Sequence, residues 1–394
     1  MTDIGESESD ISTDVSALPM LSHSVSYTSI QKPPFVVSVI GSGNWGTTVA
    51  KIIAENTREN PLLFEQKVRM WVYEEEFEGS NLSDIINTEH VNKKYLPGIK
   101  LPDNLVAVPD LLEAVQYSNI LIFNIPHQHL EKILSQLRGN IDPRARAISC
   151  LKGLRVNLDG VELLPDIIQD ALGIHCGVLA GANLAQEVAE QRFSETTVGY
   201  PLPADYKPGD VDHTVLYTLF HRPYFHVHVI EDIAGISCAG ALKNIIAISV
   251  GFVEGLEWGD NAKAAMLRRG LLEMIKFGRK FFPGCLVSSF TEESAGVADL
   301  FTTCTGGRNF KLAKIMAQTG KSAHEVEKEI LNGQSAQGLI TAKEIHELIK
   351  NKGCEEEFPL FETTYQILFH GVRIGILPYM LENKWSISKP NYSS

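Results

Sequence analysis

A single charged residue interrupts the most apolar stretch of the chain. Residues 233–253 read IAGISCAGALKNIIAISVGFV, and Lys243 is the only charged side chain among them. An ammonium group in apolar surroundings is costly unless it is paired or held in a polar cleft. A cleft lysine can donate a proton to a carbonyl oxygen as a hydride arrives at carbon, and the neighbouring amide of Asn244 can fix the substrate. The alternative is a lysine that extends to the surface without a catalytic role.

A second candidate lies in TTCTGGRN, which ends at Asn309 and precedes the helix-like FKLAKIMAQTGK. Two glycines, Arg308 and Asn309 at a helix start combine backbone N–H groups, a positive helix end and a guanidinium, which suit a phosphate. The alternative is a glycine-containing loop with a surface arginine. Asp299 lies four residues before Thr303. If Asp299 sits beside Lys243, its carboxylate would keep that lysine charged.

A glycine turn near residue 40 predicts a dinucleotide site. Gly41, Gly43 and Gly46 form a GxGxxG pattern between the strand-like FVVSVI and the helix-like TTVAKIIAEN. In this setting the glycines allow a tight turn, close approach of a pyrophosphate and close packing of helix on strand, while the helix N-terminus faces the anion. Two alternatives stay open: a turn with only a packing role, and the S-adenosylmethionine site of a methyltransferase.

Two further residues are candidates for the same crevice. Lys152 directly follows the strand-like ARAISCL, and residues beyond the carboxyl ends of strands line the ligand crevice of a doubly wound sheet. A solvated loop lysine is the alternative. Glu74 is the candidate for a ribose hydroxyl, although it lies 28 residues after Gly46 because ENTRENPLLFEQ is inserted between them. We expect this insertion to lengthen a surface loop.

The chain supplies two patterns of elements to position these residues. Short apolar runs separated by helix-like segments predict strands at Phe35–Ile40, Lys67–Tyr73, Asn119–Ile125, Ala145–Leu151, His175–Gly181 and Phe225–Ile230. After about Glu231, helical patterns follow at Ile233–Gly255, Lys263–Phe281, Phe310–Thr319 and Gln337–Lys350. Such an order favours a parallel sheet covered by helices and then a helical domain.

We therefore predict an α/β fold with two domains. Residues 35–230 form a doubly wound, Rossmann-type parallel sheet that binds the dinucleotide, and residues 231–385 form a mostly α-helical substrate and catalytic domain. The acidic, Ser/Thr-rich residues 1–34 are predicted to be a disordered tail, and residues 386–394 a flexible C-terminus.

Composition argues against several other classes of protein. A net charge of −13 over 394 residues disfavours a surface for nucleic acid or for an anionic membrane. The six scattered cysteines and the clustered histidines lack the spacing of a disulfide framework or a metal site. Residues 233–253 are long enough to span a bilayer, but Lys243 at their centre would cost about 2.5–3.5 kcal/mol there. We expect a buried helix in a soluble, cytoplasmic protein.

A series of motifs in order along the chain resembles one enzyme family. They are GSGNWG, KYLPGIKLP, FNIPHQH, SCLKG, GANLAQEV, GALKN, GVADLFTTCTGGRN and LNGQSAQG. This series is similar to the NAD-dependent sn-glycerol-3-phosphate dehydrogenases of the fungal cytosolic type. The resemblance runs from about Pro34 to Pro378, and the combination of GALKN with GGRN is far more specific than the glycine turn.

The resemblance implies interconversion of dihydroxyacetone phosphate and sn-glycerol 3-phosphate by a homodimer, with NAD as cofactor, for glycerol synthesis and cytosolic NADH reoxidation. It implies a catalytic set of Lys243, Lys152, Asp299 and Thr303. In this set Lys243 is the general acid and base at the C2 oxygen, oriented by Asp299 with Thr303 nearby. The implied substrate contacts are Lys152, Asn244, Arg308 and Asn309, the last three at the phosphate. The implied NAD contacts are Gly41, Ser42, Gly43, Asn44, Trp45, Gly46, His129, Lys152, Ala185, Arg308 and Gln337.

One departure and two rival functions accompany this resemblance. His129 replaces the phenylalanine that usually ends the PHQF segment and packs against the cofactor, so we expect a different affinity for NAD, although an imidazole can still stack. The first rival is another lysine-using hydroxyacid or sugar-acid dehydrogenase of similar two-domain build. The second is a nicotinamide-sensing regulator that lacks turnover.

Overall fold

A mostly parallel sheet and a set of long helices carry the candidate residues. The structure is a computed structural model that describes residues 34–157, 160–329 and 336–382. The predicted N-terminal tail, up to residue 33, and the predicted C-terminal segment 386–394 lie outside the described residues. So does most of the LNGQSAQG motif, whereas the sheet and the helices belong to one unit that begins at Pro34.

Eight of the strands form one sheet in the order β12-β11-β10-β7-β6-β1-β2-β5. Neighbouring strands are parallel except β10 and β11, which are antiparallel. The short strands β3–β4 and β8–β9 form two hairpins. The strand bounds are β1 Val37–Ile40, β2 Val68–Trp71, β3 Glu76–Phe77, β4 Ser80–Asn81, β5 Leu105–Val108, β6 Ile120–Phe123, β7 Arg146–Ser149, β8 Leu154–Val156, β9 Val161–Leu163, β10 Cys176–Ala180, β11 Ser194–Gly199 and β12 Phe225–Ile230.

The predicted fold class is confirmed, with one antiparallel pair added. The central strands β1, β6 and β7 are buried throughout, as expected for strands covered by helices on both faces. The chain reverses its direction of strand addition between β1 and β6, so their carboxyl ends border a crevice. The prediction omitted β5, although this strand is as long as β1 and β6, and it omitted β11, whose SETTVG sequence is too polar to form an apolar run.

The helices cover the sheet and then form the second half of the described chain. Their bounds are α1 Asn44–Glu59, α2 Leu82–Glu89, α3 Leu111–Val115, α4 Leu130–Leu137, α5 Leu164–Leu172, α6 Ala185–Ala189, α7 His213–Phe220, α8 Ile233–Gly255, α9 Asp260–Phe281, α10 Ser288–Thr291, α11 Asp299–Gly306, α12 Arg308–Thr319, α13 Ala323–Glu329, α14 Gln337–Asn351, α15 Pro359–His370 and α16 Leu377–Glu382.

The apolar helix α8 has the predicted bounds and lies at the centre of the helical half. It is long and apolar enough to cross a membrane, but every residue of its most apolar window is buried by the rest of the protein. Asp232 caps its N-terminus by accepting a hydrogen bond from the N–H of Gly235 (2.8 Å). A Cβ at Gly251 or Gly255 would lie 2.4 or 2.5 Å from a carbonyl oxygen of α12. These glycines therefore let α8 and α12 approach closely.

The expectation that the inserted residues 55–66 lengthen a surface loop is correct only for the second part of the insertion. Helix α1 continues to Glu59, so the insertion begins inside the helix, and Glu55 is buried. After a short turn the chain returns Phe64 to the core, where its side chain is 0% exposed. Leu62, at the tip of the turn, is 94% exposed, and several of the other inserted residues are exposed as well. The insertion therefore extends the amphipathic helix α1 by its first five residues and continues as an exposed turn.

A buried carboxylate connects α9 to the start of α15. Glu273 accepts hydrogen bonds from the N–H groups of Leu360 (2.7 Å) and Phe361 (3.0 Å). We expect Glu273→Ala to lower the free energy of unfolding by about 2 kcal/mol, because two buried donors lose their acceptor. Urea unfolding measures the change, and Glu357→Ala is the control. Glu357 forms an exposed ion pair with Lys280, and such a pair contributes about 0–1 kcal/mol. Equal losses in both variants would contradict the expectation.

Candidate active site

Two lysines and an aspartate from distant parts of the chain meet in one cluster. The Nζ atom of Lys243, on α8, contacts Oδ1 of Asp299, the first residue of α11. The Nζ atom of Lys152, beyond the end of β7, lies 2.9 Å from Oδ2 of the same carboxylate. The exposed side-chain fraction is 5% for Lys243, 4% for Asp299 and 37% for Lys152. The cluster therefore has one buried ammonium group and one that reaches the crevice.

The two lysines differ in how firmly they hold a proton. Burial lowers the pKa of Lys243, and the Lys152 ammonium adds to this effect against the attraction of Asp299. Burial also opposes the charge of Lys152, but the Asp299 carboxylate outweighs it and raises the pKa of Lys152. Although burial disfavours a charged carboxylate, the lysines hold the pKa of Asp299 below its ordinary value. Lys243 is thus the group best suited to release and regain a proton.

A local irregularity directly before helix α11 brings Asp299 into this cluster. One π-helical turn, Ser294–Ala298, precedes it, and Gly296 within this turn has a non-helical backbone (φ −90°, ψ −108°). A Cβ at Gly296 would lie 2.4 Å from a main-chain oxygen of α10, so only glycine fits there. Ser294 Oγ donates to a main-chain oxygen of β11 (2.8 Å). One turn after Asp299, Thr303 Oγ1 lies 3.5 Å from its Oδ1 atom.

A chain of amides links the cluster to the start of α12. Asn244 follows Lys243 on α8, and its Oδ1 atom accepts a hydrogen bond from Nδ2 of Asn309 (2.8 Å). Asn309 Oδ1 accepts in turn from the N–H of Gly338, on α14 (2.9 Å). Among the described residues, the Nδ2 group of Asn244 makes only a long hydrogen bond, to the oxygen of Ala241 (3.3 Å). The amides fix three helices around the cluster and leave Asn244 able to donate to a ligand.

Arg308 begins α12 directly beside this amide chain. Its side chain is exposed, and no residue in the described part of the chain forms an ion pair or a hydrogen bond with its guanidinium. Gly307 occupies the cap position of the helix in an extended conformation (φ −65°, ψ 164°). A guanidinium beside the first N–H groups of a helix is a combination suited to phosphate.

The glycine turn has the shape that a dinucleotide requires. Gly41 has φ +114°, and a Cβ there would lie 2.4 Å from the oxygen of Asn124. A Cβ at Gly46 would lie 2.3 Å from the oxygen of Gly41. At Gly43, by contrast, no atom of the described residues lies within 4 Å of the Cβ position. The outer glycines are needed for packing and the middle one leaves room for a ligand, so the turn fits a pyrophosphate.

The other residues expected to contact the cofactor at the turn lie on or beside it. Ser42 is buried, Asn44 is exposed at the start of α1, and Trp45 is half-buried with its ring 6.2 Å from that of Phe225. Ala185 begins α6, and its carbonyl oxygen accepts a hydrogen bond from a threonine hydroxyl on α1 (3.1 Å). The turn and α6 therefore form one wall.

Three more residues were expected to contact the cofactor, and the structure supports them less strongly. His129 is exposed in a short turn before α4, and half-buried Gln337 begins α14. Within the described ranges, no hydrogen bond joins either side chain to the glycine turn or to the lysine cluster. Glu74 follows β2 as predicted, but both of its carboxylate oxygens accept hydrogen bonds from Ser83 at the start of α2. In this structure Glu74 anchors that helix.

Two buried amides beside the turn were missed by the sequence analysis. Asn92 is fully buried and donates to the main-chain oxygen of Ser42 (2.9 Å). Asn124 follows β6, and both polar atoms of its side chain are buried. Asn124 lies within the motif FNIPHQH. Its position directly after a predicted strand was the sequence signal that could have identified it. Asn92 lies in a polar loop whose sequence gives no sign of burial.

The chain is similar to proteins of known activity along most of its length. Residues 36–204 match the family described as NAD-dependent glycerol-3-phosphate dehydrogenase N-terminus, and residues 232–377 match its C-terminus. A glycerol-3-phosphate dehydrogenase (NAD+) 2 of Candida glabrata is 59% identical over 363 residues, which cover 92% of this chain and 86% of the relative. A Saccharomyces cerevisiae relative, named glycerol-3-phosphate dehydrogenase (NAD+) 2, mitochondrial, is 59% identical over 360 residues, covering 91% and 82%.

A solved structure shows the same similarity in three dimensions. A glycerol-3-phosphate dehydrogenase from Saccharomyces cerevisiae superimposes with a TM-score of 0.86 at 59% sequence identity. The match covers 89% of this chain and 99% of that chain. The similarity therefore includes the sheet, the helical half and the crevice between them.

Proposed function

Because the chain belongs to the NAD-dependent glycerol-3-phosphate dehydrogenase family, we propose that it interconverts dihydroxyacetone phosphate and sn-glycerol 3-phosphate with Lys243 as general acid and base. The chain is an oxidoreductase and NAD is its cofactor. The observation that carries the proposal for the site is the contact between buried Lys243 and Asp299, on helices that also hold Asn244 and the start of α12.

The proposed chemical step needs one proton from the protein. When bound, NADH supplies the hydride that adds to the C2 carbonyl carbon of the substrate. Lys243 donates its proton to the C2 oxygen, which completes the alcohol and leaves a neutral amine. Solvent returns a proton to this amine before the next turnover. In the oxidation direction the neutral amine accepts the hydroxyl proton.

The carboxylate of Asp299 and the ammonium group of Lys152 support Lys243 in this step. Asp299 holds the Lys243 Nζ atom in place, and Thr303 lies within reach of the same carboxylate. Lys152, whose charge Asp299 maintains, places a second positive group beside the position where negative charge develops on the C2 oxygen. We propose that Lys152 also borders the cofactor.

The phosphate of the substrate is proposed to bind at the start of α12. Arg308 supplies an exposed guanidinium there, and Asn309 and Asn244 connect this position to Lys243 through a hydrogen bond of 2.8 Å. Binding energy gained at the phosphate would orient the C2 carbonyl against Lys243, so remote contacts would contribute to the rate of reaction.

The cofactor is proposed to lie along the glycine turn and the wall formed by α6. The proposed contacts are Gly41, Ser42, Gly43, Asn44, Trp45, Gly46, His129, Lys152, Ala185, Arg308 and Gln337. The support for this placement is the tight packing at Gly41 and Gly46 together with the open space at Gly43. Glu74 would repel a 2′-phosphate if it reaches the ribose, which favours NAD over NADP.

A direct assay of NADH oxidation tests the proposed function. Purified protein should consume NADH with dihydroxyacetone phosphate and much more slowly with dihydroxyacetone, which lacks the phosphate. A panel of 2-keto acids and keto sugar acids, the oxidised partners of the hydroxyacid and sugar-acid substrates, covers the first rival. NADH oxidation with that panel but not with dihydroxyacetone phosphate would overturn the substrate assignment, and NADH binding without any turnover would support the regulator.

The pH dependence of the two directions should be opposite. Burial lowers the pKa of Lys243 to about 7. Reduction needs the protonated lysine, so kcat/KM for dihydroxyacetone phosphate should fall as the pH rises through that value, whereas kcat/KM for glycerol 3-phosphate should rise. Steady-state rates between pH 6.5 and 9 measure both limbs. Limbs that run in the same direction would contradict the role of Lys243.

The setting of the enzyme is proposed from its family and its fold. We propose a homodimer that works in the cytoplasm in glycerol synthesis and NADH reoxidation. One relative is named as mitochondrial, so localisation needs its own measurement. Light scattering of the purified chain gives the oligomeric state, and fractionation of cells that produce the full chain gives the compartment.

A further inference from the structure

Asn92 holds one carbonyl group of the glycine turn from behind. Its side chain is 0% exposed, and its Nδ2 group donates to the main-chain oxygen of Ser42 (2.9 Å) and to Oγ1 of Thr47 (2.9 Å). Thr47 Oγ1 donates to the same Ser42 oxygen (3.0 Å). Two buried donors thus converge on a single carbonyl, which is directed inward.

The direction of that carbonyl fixes the direction of the next N–H group. The peptide bond between Ser42 and Gly43 is trans, so the Ser42 C=O and the Gly43 N–H point in opposite directions. With the carbonyl held toward Asn92, the N–H of Gly43 points away from the buried amide. No acceptor for this N–H exists in the part of the chain that the structure describes. The first N–H groups of α1 follow immediately, so the donors of the turn are presented together.

Asn92 is itself held in a fixed orientation. Its Oδ1 atom accepts a hydrogen bond from the N–H of Tyr95 (3.1 Å), and its own carbonyl accepts from the N–H of Leu96 (2.9 Å). The hydroxyl of Tyr95 donates to Glu75, beyond the end of β2 (2.7 Å). Because Oδ1 accepts and Nδ2 donates, the amide cannot exchange its two ends without losing hydrogen bonds. The segment therefore ties together the loops that follow β1 and β2.

We propose that Asn92 is a positioning residue for NAD, which aims the Gly43 N–H at the pyrophosphate by holding the Ser42 carbonyl inward. The inference rests on the proposed function, since it assigns the glycine turn to the cofactor. Asn92 is buried behind the turn, so it acts through Ser42 and Gly43 rather than by touching the cofactor. The GxGxxG pattern does not reveal this network, because Asn92 lies 50 positions after Ser42 and 45 positions after Thr47 in the chain.

Asn92→Ala tests this role, with Asn56→Ala as the matched control. Asn56 is also a buried asparagine (3% exposed), and it donates to the oxygen of Leu219 (2.9 Å) near the other end of α1. Both variants should lower the thermal unfolding midpoint of the protein without ligand. Only Asn92→Ala should weaken NADH binding, by about tenfold, because its loss frees the turn. NADH fluorescence in the absence of substrate measures the dissociation constant.

A split between kinetic constants separates positioning from general damage. For Asn92→Ala the KM for NADH should rise with its dissociation constant, while kcat at saturating NADH stays within about twofold of the wild type. If Asn92→Ala does not fold, Thr47→Val removes the other donor to the same carbonyl and should weaken NADH binding in the same direction. Thr47→Ser keeps the hydroxyl and should restore wild-type affinity.

Three outcomes would overturn the proposal. NADH dissociation constants for Asn92→Ala and Thr47→Val within twofold of the wild type would show that the turn does not depend on this network. An equal loss of NADH affinity in Asn56→Ala would show that the effect reports stability alone. A wild-type protein that does not bind NADH would overturn the proposed function together with this inference. If the wild type binds NADH, the results for the variants test this inference alone.

Discussion

Lys243→Met is expected to lower kcat for dihydroxyacetone phosphate reduction by about 10²–10⁴-fold, the range typical for loss of a general acid. The methionine keeps the length of the side chain in the buried site and removes the ammonium group. Asp299 then has one cationic partner, Lys152, at 2.9 Å, so the substitution leaves no uncompensated buried carboxylate. For this reason the fold and NADH binding should be largely preserved.

Lys51→Met is the matched control for this variant. Lys51 is also a buried lysine, with a side-chain exposure of 6%, and it donates to the carboxylate of Glu55 (2.6 Å) on α1, which begins at the glycine turn. Its loss should reduce stability but leave kcat within a few-fold of the wild type. A Lys243→Met protein that retains wild-type kcat, or that loses NADH binding together with turnover, would assign Lys243 a structural role.

Arg308→Ala is expected to lower kcat/KM for the phosphorylated substrate by about 100-fold or more, because charge-assisted hydrogen bonds to the phosphate are lost. The guanidinium is exposed, so the free energy of unfolding should change by about 0.5 kcal/mol or less. Steady-state kinetics and urea unfolding measure the two quantities. Lys311→Ala, an exposed cation one turn further along α12, is the control and should leave both unchanged.

The Arg308 and Lys243 variants should fail in different ways. Loss of the phosphate contact should be visible mainly with substrates that carry a phosphate, while loss of the proton donor should affect every carbonyl substrate. Arg308→Ala kinetics indistinguishable from the wild type would remove this residue from the site and leave the start of α12 without a role in substrate binding.

Much of the fold could be predicted because its signals are local. Helix α8 was placed at its observed bounds by its length and apolar composition, and the glycine turn was found by its position between a strand and a helix. Strand β11 was missed because its polar sequence shows no apolar pattern, and most of it is buried only through contacts with neighbouring elements. Part of the insertion at residues 55–66 was misplaced for a similar reason, since its first five residues continue α1 and Phe64 returns to the core only in three dimensions.

The candidate site was predictable as a set of residues but not as an arrangement. Lys243 was found from its charge in an apolar run, and a contact with Asp299 was expected only if the two residues were neighbours. The contact between Lys152 and Asp299 joins residues 147 positions apart, and no spacing pattern encodes it. The Asn92 network was missed because the burial of a loop asparagine is decided by the tertiary fold.

The central claim is that one ammonium group, from Lys243, serves the carbonyl and one guanidinium, from Arg308, serves the phosphate. The most direct test is kcat/KM for dihydroxyacetone phosphate and for dihydroxyacetone, measured on the wild type, Lys243→Met and Arg308→Ala. NADH is kept saturating for each protein, because Arg308 is also a proposed NAD contact. Lys243→Met should lose activity with both substrates, and Arg308→Ala should lose it with the phosphorylated substrate alone. Equal losses by Arg308→Ala with both substrates, or wild-type activity of Lys243→Met with either, would contradict the claim.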